Sequence, residues 1–301
     1  WWGIKILPRL NHENESCRRF FTGKNGVGAH YIKNGVAGWR LDVADELPDE
    51  FIALLRKRVK EVDPSAIVIG EVWEDPSNKM AYGKLRCYCT GDTLDSVMNY
   101  PLREAILSFV MGHSTAHDLV RLLNHQAEVY PAQFRYALMN LAGSHDRARV
   151  LNVLCGREGK ELDRVKQQFV QLTDEEYALA VKRMRVCIDI LCALPGCATV
   201  YYGDEVGMEG LSDPFNRMGY PWKNEDNGLL SFYRKMGEIR KNPAFAGGEF
   251  VPLFASGRTV AYMRKNGESS VIIAVNCGET PAVIKTEFGD IPLAPFGFYI
   301  S

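Results

Sequence analysis

Acidic residues stand at the carboxyl ends of two short apolar segments of this 301-residue chain. Residues 38–44, Gly-Trp-Arg-Leu-Asp-Val-Ala, contain Asp42, and residues 67–73, Ile-Val-Ile-Gly-Glu-Val-Trp, contain Glu71. If the first segment is a β-strand, alternation places Arg40 and Asp42 on the same side. A neighbouring guanidinium lowers the pKa of a carboxyl group, so Asp42 is predicted to stay ionised, as a nucleophile must.

Glu71 interrupts an otherwise apolar strand at its carboxyl end. A lone acid in such a place is expected to have a raised pKa, which suits a general acid at neutral pH. A third segment ends in Ser-His-Asp and carries His145 and Asp146. Taken singly, each of these groups is explained equally well by a structural ion pair or a turn cap as by catalysis.

Acids at the ends of three strands together indicate one shared site. The carboxyl ends of parallel strands carry the active site in barrels and in open α/β sheets. Two carboxyl groups that flank a glycosidic oxygen, about 5–5.5 Å apart, constitute the catalytic pair of a retaining glycosidase. The pattern therefore predicts glycoside hydrolysis through a covalent intermediate.

The elements that must position these acids alternate between short strands and longer amphipathic helices, which is typical of parallel βαβ units. Strands are predicted at residues 38–44, 66–72, 94–99, 136–141 and 198–202. Helices are predicted at residues 49–62, 102–111, 116–129, 175–194 and 229–240.

The pattern changes after Asn242-Pro243, where strands with alternating apolar residues are separated by glycine-containing turns. Asn266-Gly267 is predicted to form a two-residue hairpin turn with positive φ angles. We therefore predict an α/β catalytic domain over residues 1–243 and a small antiparallel β-sandwich over residues 244–301. Aromatic residues of the second domain mostly alternate as core residues do, so this domain is interpreted as a structural cap.

Several segments, in sequence order, resemble the signature regions of the α-amylase family, glycoside hydrolase family 13. The resemblance is closest to the group of neopullulanases, cyclomaltodextrinases and maltogenic amylases. The segments are Leu-Pro-Arg-Leu-Asn at 7–11, Gly-Trp-Arg-Leu-Asp-Val-Ala-Asp-Glu at 38–46, Gly-Glu-Val-Trp-Glu-Asp at 70–75, Asp-Ser-Val-Met-Asn-Tyr-Pro at 95–101, Ser-His-Asp at 144–146 and Tyr-Tyr-Gly-Asp-Glu at 201–205.

The resemblance implies a role for each matched residue. Asp42 would be the nucleophile, Glu71 the acid/base and Asp146 the stabiliser of the transition state. Arg40 would position the nucleophile, and His145 would bind sugar hydroxyls. The implied reaction is retaining hydrolysis of α-glucan oligosaccharides such as maltodextrins, cyclodextrins or pullulan.

Trp73 directly follows the segment of the proposed acid/base. Its indole could stack on a sugar ring, or it could fix the end of the strand by packing in the interior. The residue types do not separate these two interpretations.

When the chain is compared with the (β/α)8 TIM barrel of the family, the five predicted strands correspond to strands four to eight. The third-strand signature of the family, with an Asp, an Asn and a His, would precede Trp1, so the chain is interpreted as a C-terminal part. Five strands leave two unpaired edges, so we expect self-association or pairing with the missing N-terminal half. No cofactor is evident, and a calcium site, which full-length members can carry, is not identifiable in this sequence.

Two other functions remain open. A non-catalytic amylase-like protein could bind sugar or serve as a structural subunit, although such a protein has no need of all three acids. A transglycosylase would share the covalent intermediate and differ only in whether a sugar or water attacks it. The sequence does not distinguish transglycosylation from hydrolysis.

Composition excludes several classes of protein. Lys and Arg number 36 against 37 Asp and Glu, and no basic run supplies the patch that nucleic-acid binding requires. The most apolar stretch, residues 186–202, contains Asp189 and Pro195, so no membrane span is predicted. The eight cysteines lack the spacing of a disulfide framework, which favours a reducing, cytoplasmic location.

Overall fold

The computed structural model describes residues 1–159 and 162–301, and the chain divides into two compact units. The first unit comprises residues 1–101 and 126–139, and the second comprises residues 102–125 and 140–301. This division differs from the domain boundary expected between residues 243 and 244, which stays a prediction.

The elements of the described residues are numbered here in chain order. The α-helices are α1 (Glu15–Thr22), α2 (Val27–Lys33), α3 (Asp49–Val62), α4 (Tyr100–Met111), α5 (Ala116–Val129), α6 (Ala132–Tyr136), α7 (Val150–Leu154), α8 (Arg164–Gln167), α9 (Asp174–Ala193) and α10 (Asn227–Ile239). The strands are β1 (Gly38–Leu41), β2 (Ile67–Gly70), β3 (Met80–Ala81), β4 (Lys84–Leu85), β5 (Ser96–Val97), β6 (Met139–Leu141), β7 (Cys197–Thr199), β8 (Glu249–Ser256), β9 (Thr259–Asn266), β10 (Ser269–Asn276), β11 (Ala282–Thr286), β12 (Gly289–Leu293) and β13 (Phe298–Ile300).

The first unit contains a parallel sheet in the order β1-β2-β5. Arg40 of β1 lies opposite Ile69 of β2, and the Glu71 N–H donates to the Leu41 carbonyl at 2.9 Å. The carboxyl ends of β1 and β2 therefore meet at one edge, as the sequence predicts. An isolated parallel bridge joins Met98 to Met139 in the same unit.

Helix α3 has the bounds predicted from its periodicity, residues 49–62. Its apolar stripe, Phe51, Ile52, Leu55 and Val59, is buried in the core of the first unit. Acidic residues occupy its first turn, where they interact favourably with the helix dipole. The helix thus covers the parallel sheet on one face, in the manner of a βαβ unit.

Asp95 illustrates an acid that is structural. Its carboxylate accepts from the Val68 N–H at 2.8 Å and pairs with Arg56 and with Lys60 at 2.8 Å and 3.0 Å. One side chain therefore connects β2, helix α3 and the segment leading to β5, and it fixes the register of the sheet.

Several strand bounds differ from the predicted ones: β1, β2, β5 and β7 span residues 38–41, 67–70, 96–97 and 197–199, where 38–44, 66–72, 94–99 and 198–202 were predicted. The strand expected to begin at residue 136 begins at Met139, because Ala132–Tyr136 form helix α6 after Pro131 at its N-cap. Helix α1 was not predicted at all, although Asn14 caps it by accepting from the N–H groups of Ser16 and Cys17.

The second unit contains the larger apolar core. Helix α9 begins with a capping box in which the Thr173 and Glu176 side chains each accept from the other's backbone N–H, and residues such as Met184 and Ile188 are buried along its length. Strand β6 pairs with β7.

The C-terminal residues form an antiparallel sheet in the order β13-β10-β9-β8 and a separate hairpin of β11 and β12. A small core that includes Ala261, Ala274 and Ile284 lies between the sheet and the hairpin. These are the strands with tight turns that the sequence predicts after residue 243.

The predicted Asn266-Gly267 turn lies one residue further along the chain. Asn266 pairs with Ser269 in the ladder, so the two-residue loop is Gly267-Glu268, with positive φ at Gly267 alone. Asn266 instead stays in the strand and donates from its side chain to the carbonyls of Pro243 and Ala246. Glycine at the first loop position is the requirement of a type II′ turn.

Gly70 is expected to be essential for the close packing of β2. A Cβ atom added there would lie 2.5 Å from Leu94 Cδ1 and 3.2 Å from Ala44 Cβ. Gly70→Ala should lower the free energy of unfolding by about 1–3 kcal/mol, the usual cost of overpacking. Gly237→Ala is the matched control, because nothing lies within 4 Å of that position in helix α10 and alanine favours helix there. Urea unfolding of the two variants measures the difference, and equal stability would contradict the packing argument.

Candidate active site

Arg40 lies between the two acids of the first unit. Its Nη1 atom donates to Asp42 Oδ1, and its Nη2 atom lies 3.0 Å from Glu71 Oε2. The second contact lacks the angle of a hydrogen bond, so we treat it as electrostatic. Strand alternation therefore placed Arg40 and Asp42 correctly on the same side, and one guanidinium group contacts both carboxylates.

The two carboxylates differ in their access to solvent. The Asp42 side chain is 72 % exposed, whereas the Glu71 side chain is 5 % exposed. Asp42 is thus open to a large substrate, and Glu71 presents its carboxylate from within the protein.

Glu71 is not the lone acid that the sequence predicts. Besides Arg40, the backbone N–H of Val43 donates to its Oε2 atom at 2.7 Å, and Trp73 Nε1–H donates to its Oε1 atom at 2.9 Å. Each carboxylate oxygen therefore has a donor, and the side chain is fixed in one orientation. The pattern of apolar neighbours along the strand gave no sign of these donors, because they come from other segments of the backbone and from a side chain two residues away.

Val43 has a strained backbone. Its φ angle is 40°, in the left-handed region that a β-branched residue rarely adopts. Such conformations cost about 1–3 kcal/mol and concentrate at functional sites. Here the conformation accompanies the hydrogen bond from the Val43 N–H to Glu71, directly after Asp42.

Trp73 lies beside Glu71 and stacks on Tyr100. The two ring centroids are 4.7 Å apart, with planes inclined by 18°. Trp73 is 38 % exposed, so part of its surface remains open to solvent. The ring packs at the strand end and keeps an exposed surface, so stacking on a sugar ring stays a prediction.

His145 and Asp146 lie together in the second unit, beyond strand β6. The His145 Nε2 atom is 3.3 Å from Asp146 Oδ1, and Asp146 Oδ1 is also 3.7 Å from Arg217 Nη2. The Asp146 N–H donates to the Ser144 hydroxyl at 3.2 Å. Asp146 is therefore held beside two cationic or polar groups, in a loop that its own backbone helps to shape.

Asn216 fixes the backbone of this loop. Its Nδ2 group donates to the carbonyls of His145 and Arg147, at 2.7 Å each, and Asn216 is fully buried. Arg217 Nε–H donates to the His145 carbonyl at 3.1 Å. Neither residue was singled out from the sequence, because they lie about 70 positions away in a segment without a recognisable pattern.

A buried ion pair fixes the far end of the same loop. Arg149, which is fully buried, donates from Nη1 to the Tyr202 carbonyl and to Asp204 Oδ1, the latter at 3.1 Å. Its guanidinium carbon lies 4.2 Å from the ring centroid of Tyr201. Burial raises the pKa of Asp204 to about 7, against the opposing effect of Arg149.

The lack of a side chain at Gly143 makes room for the Asp204 carboxyl group. A Cβ atom at that position would lie 2.1 Å from Asp204 Oδ2. The absence of a side chain therefore lets the Asp204 carboxyl group approach the backbone just before Ser144-His145-Asp146. The Tyr-Tyr-Gly-Asp-Glu motif pointed to the region of Asp204 but not to this contact.

The six predicted site residues thus form two sets. Arg40, Asp42, Glu71 and Trp73 lie together in the first unit, and His145 and Asp146 lie together in the second.

The part of the chain that the structure describes contains neither a candidate metal site nor a membrane-spanning helix. Across residues 1–159 and 162–301, no three or more His, Cys, Asp or Glu side chains are grouped so that they could hold a metal ion. Among the helices of those ranges, none has the length and apolar character to cross a bilayer. All eight cysteines are free thiols.

Comparison with known proteins defines the class of protein. The sequence model of one protein family, the α-amylase catalytic domain, matches residues 2–241 of this chain. The chain therefore belongs to the α-amylase family of glycosidases.

Curated relatives are about 31 % identical to this chain over the residues that align. The amylopullulanase of Thermoanaerobacter thermohydrosulfuricus is 31 % identical over 94 % of this chain and 20 % of its own length. The cyclomaltodextrinase of Thermoanaerobacter pseudethanolicus is 31 % identical over 92 % of this chain and 43 % of its own length. The chain thus spans between one fifth and somewhat under half of these relatives, and it aligns with their C-terminal part.

Solved structures have the same fold. The cyclic α-maltosyl-(1→6)-maltose hydrolase of Arthrobacter globiformis superposes with a TM-score of 0.82 at 28 % identity, covering 98 % of this chain and 61 % of that chain. The type III pullulan hydrolase of Thermococcus kodakarensis superposes with a TM-score of 0.83 at 28 % identity, covering all of this chain and 50 % of that chain.

Proposed function

We propose that this protein is a retaining α-glucan hydrolase in which Asp42 is the nucleophile and Glu71 the acid/base. The observation that carries the proposal is the contact of one Arg40 guanidinium with both carboxylates. Such a contact requires the two acids to lie within a few ångströms of one group. A separation of about 5–5.5 Å between carboxyl groups is that of retaining enzymes, whereas inverting enzymes require a wider gap.

The two environments suit the two roles. Glu71, held by the Val43 N–H and the Trp73 indole, protonates the glycosidic oxygen as the bond breaks. Asp42, exposed and oriented by Arg40, attacks the anomeric carbon and forms a glycosyl-enzyme. Glu71 then acts as the base that activates water, and hydrolysis returns both acids to their starting state.

Asp146, in the second unit, is proposed as the stabiliser of the transition state, the role that the resemblance of Ser-His-Asp at 144–146 implies. Its carboxylate binds sugar hydroxyls more strongly when the ring is distorted toward the oxocarbenium-like state, which lowers the barrier rather than only tightening binding. His145, next to it, donates to a sugar hydroxyl. Arg217 and Asn216 position this loop through the contacts described above.

The substrate class follows from the relatives. Their names describe enzymes that act on pullulan, cyclomaltodextrins and a cyclic maltosyl-maltose, and the Arthrobacter enzyme has been solved in complex with maltose. All of these compounds are α-glucans. We extend to this chain only that shared chemistry, an α-glucan oligosaccharide.

We also propose that the chain supplies strands four to eight of a (β/α)8 barrel and that a partner covers the open edge of these strands. Within the described residues, β1 has a neighbouring strand on one side only. Phe20 and Tyr31, on helices α1 and α2, are 61 % and 49 % exposed. An unpaired edge with apolar surface nearby favours association, either with a second copy or with the N-terminal half of the barrel.

Reducing-sugar release from maltotriose, β-cyclodextrin and pullulan tests the function. Fractions of the wild-type chain are separated by size, and light scattering gives the mass of each. We expect sugar release in the fraction whose mass exceeds that of one chain. Asp42→Asn and Glu71→Gln should abolish it at unchanged mass and circular dichroism. Release that survives either substitution would refute the assigned roles, and a monodisperse, fully active monomer would refute the need for a partner.

A further inference from the structure

A cavity of about 390 Å³ lies in the second unit between helices α9 and α10 and strand β13. Apolar side chains form most of its wall, among them Phe232, Met236, Ile239 and Phe298. One acid, Asp189 of helix α9, lines the same cavity. None of these residues belongs to the site proposed for glucan hydrolysis.

Asp189 has no partner among the described residues. It is 5 % exposed, yet it makes neither a hydrogen bond nor an ion pair within 4.0 Å. Its nearest cations, Lys235 and Arg185, act on it only at longer range, and both side chains are exposed to solvent. An isolated buried charge costs several kcal/mol, so a carboxyl group without a partner takes up a proton, and a cation bound in the cavity would let Asp189 ionise.

The chemistry of the wall selects the ligand. A carboxylate attracts a cation and repels an anion, and aromatic rings around it add cation–π attraction. The aliphatic and aromatic remainder of the wall requires an apolar body on the same molecule. We propose that this cavity binds a small organic amine, with its ammonium group on Asp189 and its apolar part against the side chains of helix α10 and strand β13.

Protonation of the carboxyl group is linked to this binding. Burial raises the pKa of Asp189 to about 8, so the empty site holds a proton at neutral pH. An amine must displace that proton, and its affinity should therefore rise with pH up to about 8 and level off above it. The other titratable or charged groups that interact with Asp189 are Arg185, Cys187 and Cys192 of helix α9, Lys235 of helix α10, Tyr262 of strand β9 and Cys277.

Calorimetric titration of the full chain with phenethylamine tests the proposal. We expect saturable binding at pH 8 that weakens by up to about tenfold at pH 7, in line with release of one proton. Asp189→Asn keeps the shape and removes the charge, and it should weaken binding roughly tenfold or more. Glu175→Gln, which removes an exposed carboxylate from the same helix, should leave the affinity unchanged.

Three further measurements test whether the charge of Asp189 is what binds the amine. At pH 9, where the Asp189 carboxyl group is mostly ionised, Asp189→Asn should raise the melting temperature because it removes a buried unpaired charge, so its loss of binding would not be due to unfolding. Lys235→Met removes a competing cation at the rim and should bind phenethylamine at least as tightly as wild type. The proposal is overturned if 2-phenylethanol or 3-phenylpropionate binds as well as phenethylamine, if Asp189→Asn binds it equally, or if Lys235→Met weakens binding.

Discussion

Asp42→Ala is expected to lower hydrolysis of α-glucans at least about 10³-fold, and azide should restore turnover of α-maltosyl fluoride with β-maltosyl azide as the product. The variant lacks the carboxylate proposed to attack the anomeric carbon, but the space it occupied remains open to a small anion. Fluoride leaves without help from an acid, so the reaction needs only a nucleophile on the face that Asp42 occupied. Attack from that face inverts the anomeric centre.

Glu71→Ala should give the opposite product from the same reagents. Asp42 is intact in this variant, so the glycosyl-enzyme still forms, with inversion at the anomeric carbon. Azide then attacks the intermediate from the other face and yields α-maltosyl azide. The anomeric configuration of the two azides, read by proton NMR, thus assigns the two roles separately.

Asp290→Asn provides the control, because Asp290 is an exposed acid on the β11–β12 hairpin. Its activity should equal that of the wild type and should not respond to azide. The same azide anomer from both alanine variants would show that the roles of Asp42 and Glu71 are assigned incorrectly. Products of inverted configuration from the wild-type enzyme would exclude a covalent intermediate.

Local pattern predicted those parts of the site that depend on a single element. Alternation along β1 is enough to place Arg40 and Asp42 side by side, and a period of 3.6 residues between Pro48 and Pro64 is enough to give helix α3 its bounds. Both features follow from the backbone geometry of one segment. They need no knowledge of what packs against it.

Features that depend on distant contacts or on unusual backbone could not be predicted in this way. The left-handed Val43 contradicts the preference of its residue type, and its N–H reaches Glu71 across 28 positions. Asn216 holds a loop about 70 positions earlier in the chain. Asp189 was noticed only as a charge that interrupts an apolar stretch, because the cavity beside it is formed by helix α10 and strand β13, far along the sequence.

The buried pair of Arg149 and Asp204 leads to the second large effect, on stability. At pH 8.5, where Asp204 is ionised, Arg149→Met is expected to lower the free energy of unfolding by about 3–5 kcal/mol, the usual cost of removing one member of a buried ion pair. Methionine fills much of the space but leaves Asp204 without its cation. The variant also loses the bond from Arg149 to the Tyr202 carbonyl, so the loop that carries Asp146 is no longer held at that end.

The destabilisation should depend on pH in a defined direction. The folded-state pKa of Asp204 is raised to about 7, chiefly by burial, while its ordinary value is 3.8. A raised folded-state pKa means that stability contributed by this group is lost as pH rises through that value. Without Arg149 the pKa rises further, so the deficit of Arg149→Met relative to wild type should be constant between pH 5 and 7 and should grow above pH 7.

Denaturant unfolding of four proteins at pH 6 and pH 8.5 measures the coupling free energy between Arg149 and Asp204. The proteins are the wild type, Arg149→Met, Asp204→Asn and the double variant. In the double variant the unpaired carboxyl group is gone, so about 1–3 kcal/mol of the loss should be recovered and the extra loss at pH 8.5 should disappear. If the losses of unfolding free energy in the two single variants simply add up in the double variant at both pH values, the two side chains do not stabilise the protein as a pair. Arg149 would then act through its contacts with Tyr201 and Tyr202 alone.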